Sequence, residues 1–103
     1  MSVVIIVNMS AELLNEQRHT FPDSNILEIV IWKVPKIVLG SSHNYKYRLF
    51  YGNHAERIVG YDNERPKGDH RHYGDHEEAY QFTGIEQLLT DFYDDVAARR
   101  DDL

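Results

Sequence analysis

Cysteine is absent from the 103 residues, which removes disulfides, thiolate metal sites and cysteine nucleophiles together. Long apolar runs are missing as well. The longest, Val3-Val4-Ile5-Ile6-Val7, falls far short of the roughly 20 residues that span a bilayer. It has no basic segment before it and is too short for a signal-peptide core, so a cytoplasmic protein with no membrane partner is expected. Basic residues are also in short supply. Eleven Lys and Arg face seventeen Asp and Glu, a net charge of -6 that by itself disfavours a nucleic-acid binder.

The distribution of charge says something different. Residues 33–71 carry eight basic side chains against four acidic ones, a local balance of +4, while the flanks sum to -3 and -7. A basic middle between acidic ends suits local phosphate binding; scattered surface charge explains the counts equally well. With 42% apolar and 27% charged residues the chain is no disordered polymer, and its length suits a single domain over 1–103 with one modest core.

The segment from Tyr61 to His76 stands out. Its sixteen residues hold three histidines, four carboxylates, two arginines and a lysine. It is either a solvated hairpin end or a working surface, and the concentration of titratable groups favours the second. The apolar residues lie on both sides of it. Val3–Val7 reads as a strand, and residues 1–9 as an N-terminal extension. Ser10–Glu16 fits a helical turn or a strand. Phe21-Pro22-Asp23-Ser24-Asn25 is turn chemistry. Ile26–Val34 reads as a strand with Leu27, Ile29 and Ile31 on one face, ended by Pro35, and Gly40–Asn44 as a polar loop.

Tyr45–Tyr51 alternates cleanly, with Tyr45, Tyr47, Leu49 and Tyr51 opposite Lys46, Arg48 and Phe50, and hairpins with Glu56–Tyr61. Leu49 and at least two of the tyrosines belong to a core. Glu78–Phe82 is a candidate last strand. A C-terminal helix over 83–99 follows from a Thr83/Glu86 capping box and the stripe Ile85, Leu88, Leu89, Phe92, Val96, with Arg99 and Arg100 at its end. The acidic residues Asp91, Asp94, Asp95, Asp101 and Asp102 read as a solvated face, and His19, His43 and His54 as surface histidines. The fold class is α+β: an antiparallel meander of four to five strands with the helix packed on one face.

Five stretches carry a family resemblance: Ile31-Trp32-Lys33-Val34-Pro35, Lys46-Tyr47-Arg48-Leu49-Phe50-Tyr51, Gly60-Tyr61-Asp62-Asn63-Glu64, Lys67-Gly68-Asp69-His70-Arg71-His72, and Tyr80-Gln81-Phe82-Thr83 leading to Asp91-Phe92. Together they closely resemble the TumE family of toxin–antitoxin proteins, over about residues 10–98. Pro66 departs from the glycine expected there. The resemblance implies a small bacterial or archaeal toxin neutralised by a helix-turn-helix antitoxin; it implies no particular chemistry.

Metal-free RNA cleavage needs a base, a cation and an acid, and Asp69-His70-Arg71-His72 contains all three types. In an extended segment His70 and His72 share one face, and imidazoles titrate near neutrality. Lys46, Arg48, Arg65 and Lys67 are candidates for phosphates, and Tyr47, Tyr61 or Tyr73 for stacking a base. No cofactor is expected. A metal held by His70 and His72 with Asp69, Asp75 or His76 ranks below this, because the spacing matches no established motif. The plain alternative pairs Asp69 with Arg71 on a hairpin rim and turns the histidines to carbonyls. A non-catalytic inhibitor masked by its antitoxin is the second functional reading, and self-association as a homodimer stays open.

Overall fold

Residues 10–103 are described by the structure, a computed structural model. The expected strand at Val3–Val7 and the extension at 1–9 lie outside the described residues.

Six antiparallel strands follow one another across a single sheet: β1 (Glu12–Thr20), β2 (Ile26–Lys33), β3 (Tyr45–Gly52), β4 (Arg57–Asp62), β5 (His70–Tyr73) and β6 (His76–Ala79). Helix α1 (Ile85–Ala97) packs on one face. The α+β meander is as expected, with more strands than four to five. Ser10–Glu16 resolves toward strand rather than helix, because the Phe21–Asn25 turn feeds it back along β2. In that turn Asp23 Oδ1 accepts the Asn25 N–H at 3.0 Å, and Phe21 N–H reaches Asn25 O at 2.8 Å. β1 carries an irregularity between Leu13 and Asn15.

The other extra strand arises at Gly74. Its φ of +59° suits glycine and allows a two-residue turn, so β6 begins at His76 and ends at Ala79 instead of running over Glu78–Phe82.

Alternation on β2–β4 places Leu27, Ile29, Ile31, Tyr47, Leu49, Tyr51, Val59 and Tyr61 under the helix, where Leu88, Phe92 and Val96 meet them. Burying each such side chain stabilises the fold by about 1.5–3 kcal/mol. Polar links bind helix to sheet as well. Asp95 accepts the hydroxyls of Tyr61 at 2.5 Å and Tyr73 at 2.8 Å, and Asp91 accepts that of Tyr80 at 2.6 Å. These two carboxylates therefore do not belong to a solvated face; buried phenols require acceptors, and the helix supplies them.

The capping box does not form. Gly84 is the N-cap and makes no side-chain cap bond, so Thr83 stands one place too early for the pairing. At the other end Arg99 donates to Asp95 O at 2.8 Å, while Arg100 folds back over the Phe21 ring at 3.7 Å and donates to Tyr51 OH at 2.8 Å.

The opposite face of the sheet carries no helix among the described residues. Strand parity assigns it Trp32 from β2, Lys46, Arg48 and Phe50 from β3, Asp62 from β4, and His70 and His72 from β5. Among the described residues no helix is long and apolar enough to cross a membrane.

Candidate functional site

β5 separates the Asp69–His72 string into two environments. Asp69, just before it, faces inward and is held by three donors. Ser41 OH donates to Oδ1 at 2.6 Å, while Tyr47 OH and His43 Nε2 donate to Oδ2 at 2.6 and 2.8 Å. His43 Nδ1 accepts the Tyr45 N–H at 3.1 Å, which places the ring proton on Nε2. Its ring stacks on Phe82 at 3.8 Å.

His43 is thus no surface histidine. Burial pushes the Asp69 carboxyl up, but the donations from Ser41, Tyr47 and His43 outweigh it and hold the group below the usual carboxylate range. Asn63 closes the network, giving Nδ2–H to Tyr45 O at 2.6 Å and accepting Tyr47 N–H at 3.0 Å. Two loops cross beside it. A Cβ on Gly68 would lie 2.5 Å from Gly40 O, so the approach requires glycine.

Arg71, also inward, donates to Glu78 Oε2 at 2.7 Å instead of pairing with Asp69. His70 and His72 do share the outer face, opposite Asp62 and Gly60. His70 Nδ1 lies 3.1 Å from Gly68 O.

His72 has a different setting. Its side chain is only 7% exposed. Nδ1 accepts from Arg57 Nη2 at 2.9 Å, so the proton sits on Nε2. Nε2 lies 3.2 Å from Asp62 Oδ2 but is not aligned to bond it, and this buried nitrogen has no hydrogen-bond partner among the described residues. Burial, and then the Arg57 guanidinium, push the imidazole below its usual pKa against the pull of Asp62 and Glu77. His72 is therefore neutral at neutral pH. Arg57 reaches it by lying across Gly60, where a Cβ would come within 2.6 Å of Arg57 Cδ.

Arg57 carries this group to a cleft of about 420 Å³, lined by Arg48, Phe50, Ala55, Glu56, Arg57 and the β5–β6 turn residues Gly74 and Asp75; His72 itself lies behind Arg57. The Arg48 guanidinium stands 5.2 Å from the Phe50 ring centre. Two guanidiniums and an aromatic face beside a neutral imidazole can hold an anion, stack a planar group and take up a proton.

The other predicted site residues disperse. Tyr47 and Tyr61 are 1% exposed and cannot stack a base, because their strand parity commits them to the core. Tyr73 is half-buried, with its hydroxyl on Asp95 and the Arg99 guanidinium 5.1 Å from its ring centre. Lys67 pairs with Glu77 at 2.8 Å. Lys46 and Arg65 line another cleft with Val34–Leu39. Arg48 alone of the four predicted cations lines the cleft beside His72. No three His, Cys, Asp or Glu side chains converge as a metal-holding group among the described residues; Asp69 lies opposite the two histidines, and His76 pairs with Glu78 at 2.9 Å.

Sequence reasoning missed Arg57, Asp62, Glu77, Phe50, Ser41, His43 and Asn63. Phe50 had a usable signal, since it shares a strand face with Arg48. Arg57 had one only in hindsight of Gly60, the small residue that makes room for it.

The toxin TumE family model matches residues 9–100. No curated protein and no solved structure matches the chain. The family match takes in every described element of the fold, and on it the chain belongs to the TumE family of toxins, the toxin side of a toxin–antitoxin pair.

Proposed function

We propose that this toxin acts in the cytoplasm by cleaving RNA on the open face of its sheet, with His72 as general base. The observation that carries the reading is the arrangement of His72: a neutral, buried imidazole whose Nδ1 accepts from Arg57 and has Glu77 Oε1 3.5 Å away, Arg57 in turn lining the cleft together with Arg48 and Phe50. A backbone phosphate entering the cleft draws Arg57 and Arg48 onto its oxygens, and Nδ1 is freed. Nδ1 then takes the proton of the 2′-hydroxyl, O2′ bonds to phosphorus, and the P–O5′ bond breaks, leaving a 2′,3′-cyclic phosphate. Asp62, beside Nε2, stabilises the imidazolium formed. His70, two residues along the same face and about 7 Å away, protonates the departing O5′. Phe50 offers the stacking surface that the tyrosines do not. Asp69 and Arg71 hold β5 in place and do not touch the substrate.

The test is incubation of the purified protein with total RNA and with a translating extract. A His72→Gln variant of unchanged melting temperature is expected to lose about 10²–10⁴-fold in cleavage rate. Arg57→Lys, which keeps charge but not the planar fork, is expected to lose activity while RNA affinity falls only a few-fold. Cleavage unaltered in both variants overturns the assignment of the site.

A non-catalytic inhibitor is the second reading. It is favoured by the ion pairing of the rim cations, Lys67 with Glu77 and Arg48 with Glu28 at 3.5 Å. Absence of cleavage in every condition, with growth arrest retained, selects it. In either case a helix-turn-helix antitoxin is the proposed neutralising partner.

A further inference from the structure

The connection between β2 and β3 departs from the economy of the other turns. It runs over residues 34–44 and is rigidly pinned: Val34 N–H reaches Asn44 O at 2.8 Å, Val38 N–H reaches His43 O at 3.0 Å, and Asn44 Nδ2–H reaches Val34 O at 3.0 Å. Val38 is 4% exposed and anchors the loop. Its two neighbours do the opposite. Ile37 is 65% and Leu39 60% exposed, although water contact with aliphatic side chains is unfavourable. They edge a mostly apolar groove of about 550 Å³, which Lys36, Lys46 and Arg65 also line.

We propose that this groove is the seat of the antitoxin, and that it receives an antitoxin segment in which aliphatic residues alternate with carboxylates. The inference rests on membership of a toxin–antitoxin pair and is independent of the RNA chemistry above. Charge complementarity selects the occupant. Three cations line the groove of a protein whose net charge is -6, and no acidic side chain lines it. RNA fits less well, because Ile and Leu give a base nothing to stack on. A second copy fits less well too. Three of the acids near this chain's own C-terminal end are engaged: Asp91 and Asp95 hold tyrosine hydroxyls, and Asp102 binds Arg100 at 2.7 Å. A rigid loop holding two aliphatic anchors side by side suits a partner that must bind tightly without refolding its target.

The experiment uses the full-length toxin and the antitoxin encoded beside it, with the dissociation constant measured by titration calorimetry. The double variant Ile37→Asp/Leu39→Asp, at solvent-facing positions, is expected to keep its melting temperature and to weaken binding at least about 100-fold. Lys36→Glu is expected to weaken it about tenfold and to flatten the salt dependence. In the wild-type complex the amides of residues 36–40 gain hydrogen-exchange protection, and RNA cleavage by the free double variant is unchanged. Binding of the antitoxin at wild-type strength by both variants overturns the proposal. So does loss of a toxin homodimer in sedimentation equilibrium, which assigns the groove to a second copy, or loss of RNA affinity with antitoxin binding kept.

Discussion

Replacing Asp69 discriminates between a structural anchor and a catalytic acid. The carboxylate receives three hydrogen bonds, from Ser41, Tyr47 and His43, and its side chain is 10% exposed. Bonds to a charged acceptor contribute about 1.5–3 kcal/mol each, discounted where a donor can turn away. The two hydroxyls can rotate; His43 Nε2–H cannot, because Nδ1 is fixed by the Tyr45 amide. Asp69→Ala is therefore expected to cost about 4 kcal/mol, a large share of a total near 5–15 kcal/mol. With an m-value of about 1.3 kcal/mol per molar, the urea midpoint drops by about 3 M. Asp69→Asn keeps an acceptor for His43 and Tyr47 and presents an amide that Ser41 can accept from, so its cost is about 1–2 kcal/mol.

The pH dependence separates the two variants further. Asp69 is held below its usual range when folded. Its stabilisation is therefore present above the unfolded carboxyl value of about 3.9 and is lost as pH falls through the folded value. The Asn variant loses this acid-side component. Urea titrations with RNA cleavage measured in parallel check the account, and Asp69→Asn is expected to cleave within a few-fold of wild type. Equal destabilisation by Ala and Asn, or full loss of cleavage in a stably folded Asn variant, refutes it.

Melting temperature is expected to rise with pH up to the unfolded imidazole value of about 6.5 and to level off above it, because folded His72 stays neutral at pH values where the unfolded imidazole is already charged; His72→Gln should flatten this rise in calorimetry. Gly68→Ala combines a φ of +84° with a 2.5 Å backbone clash and is expected to cost about 2–4 kcal/mol, whereas Gly74→Ala, at φ +59° with open space around it, costs about 1 kcal/mol. Chemical denaturation of the pair tests whether the loop crossing, not positive φ alone, demands glycine. Phe92→Ala, at a fully buried position between helix and sheet, is expected to lose about 3–5 kcal/mol by the same measurement.

Much of the scaffold was legible because it obeys short periods. The Tyr45–Tyr51 alternation and the Ile85–Val96 stripe each state which residues are buried, and the core contains Leu49, Tyr47, Tyr51, Leu88, Phe92 and Val96. The β5–β6 hairpin was less legible, since Gly74-Asp75 sits among residues too polar to signal a strand. The site was half legible. His72 and Arg48 were visible as residue types, but their partners came from a strand crossing and a loop contact. Asp69 meets Ser41 and His43 across 28 and 26 positions of chain, and Arg57 meets His72 across 15. No local pattern encodes such encounters. The base-stacking tyrosines went astray for the converse reason: the same alternation that revealed the strand also sent their rings inward.

The buried phenols that bond to carboxylates give the fold an optical signature at high pH. Tyr47, Tyr61 and Tyr80 are pushed well above the ordinary phenol range, first by burial and then by the carboxylates that accept their hydroxyls, Asp69, Asp95 and Asp91. A phenolate in any of these places would face a carboxylate at hydrogen-bond distance, so Tyr61 and Tyr80 cannot ionise until the helix lifts away, nor Tyr47 until the start of β5 leaves β3. Their contribution to stability is complete below the unfolded value of about 10 and drains as pH climbs beyond it. Tyrosinate absorbance in an alkaline titration thus reports opening of the domain instead of independent ionisations, and these chromophores switch together.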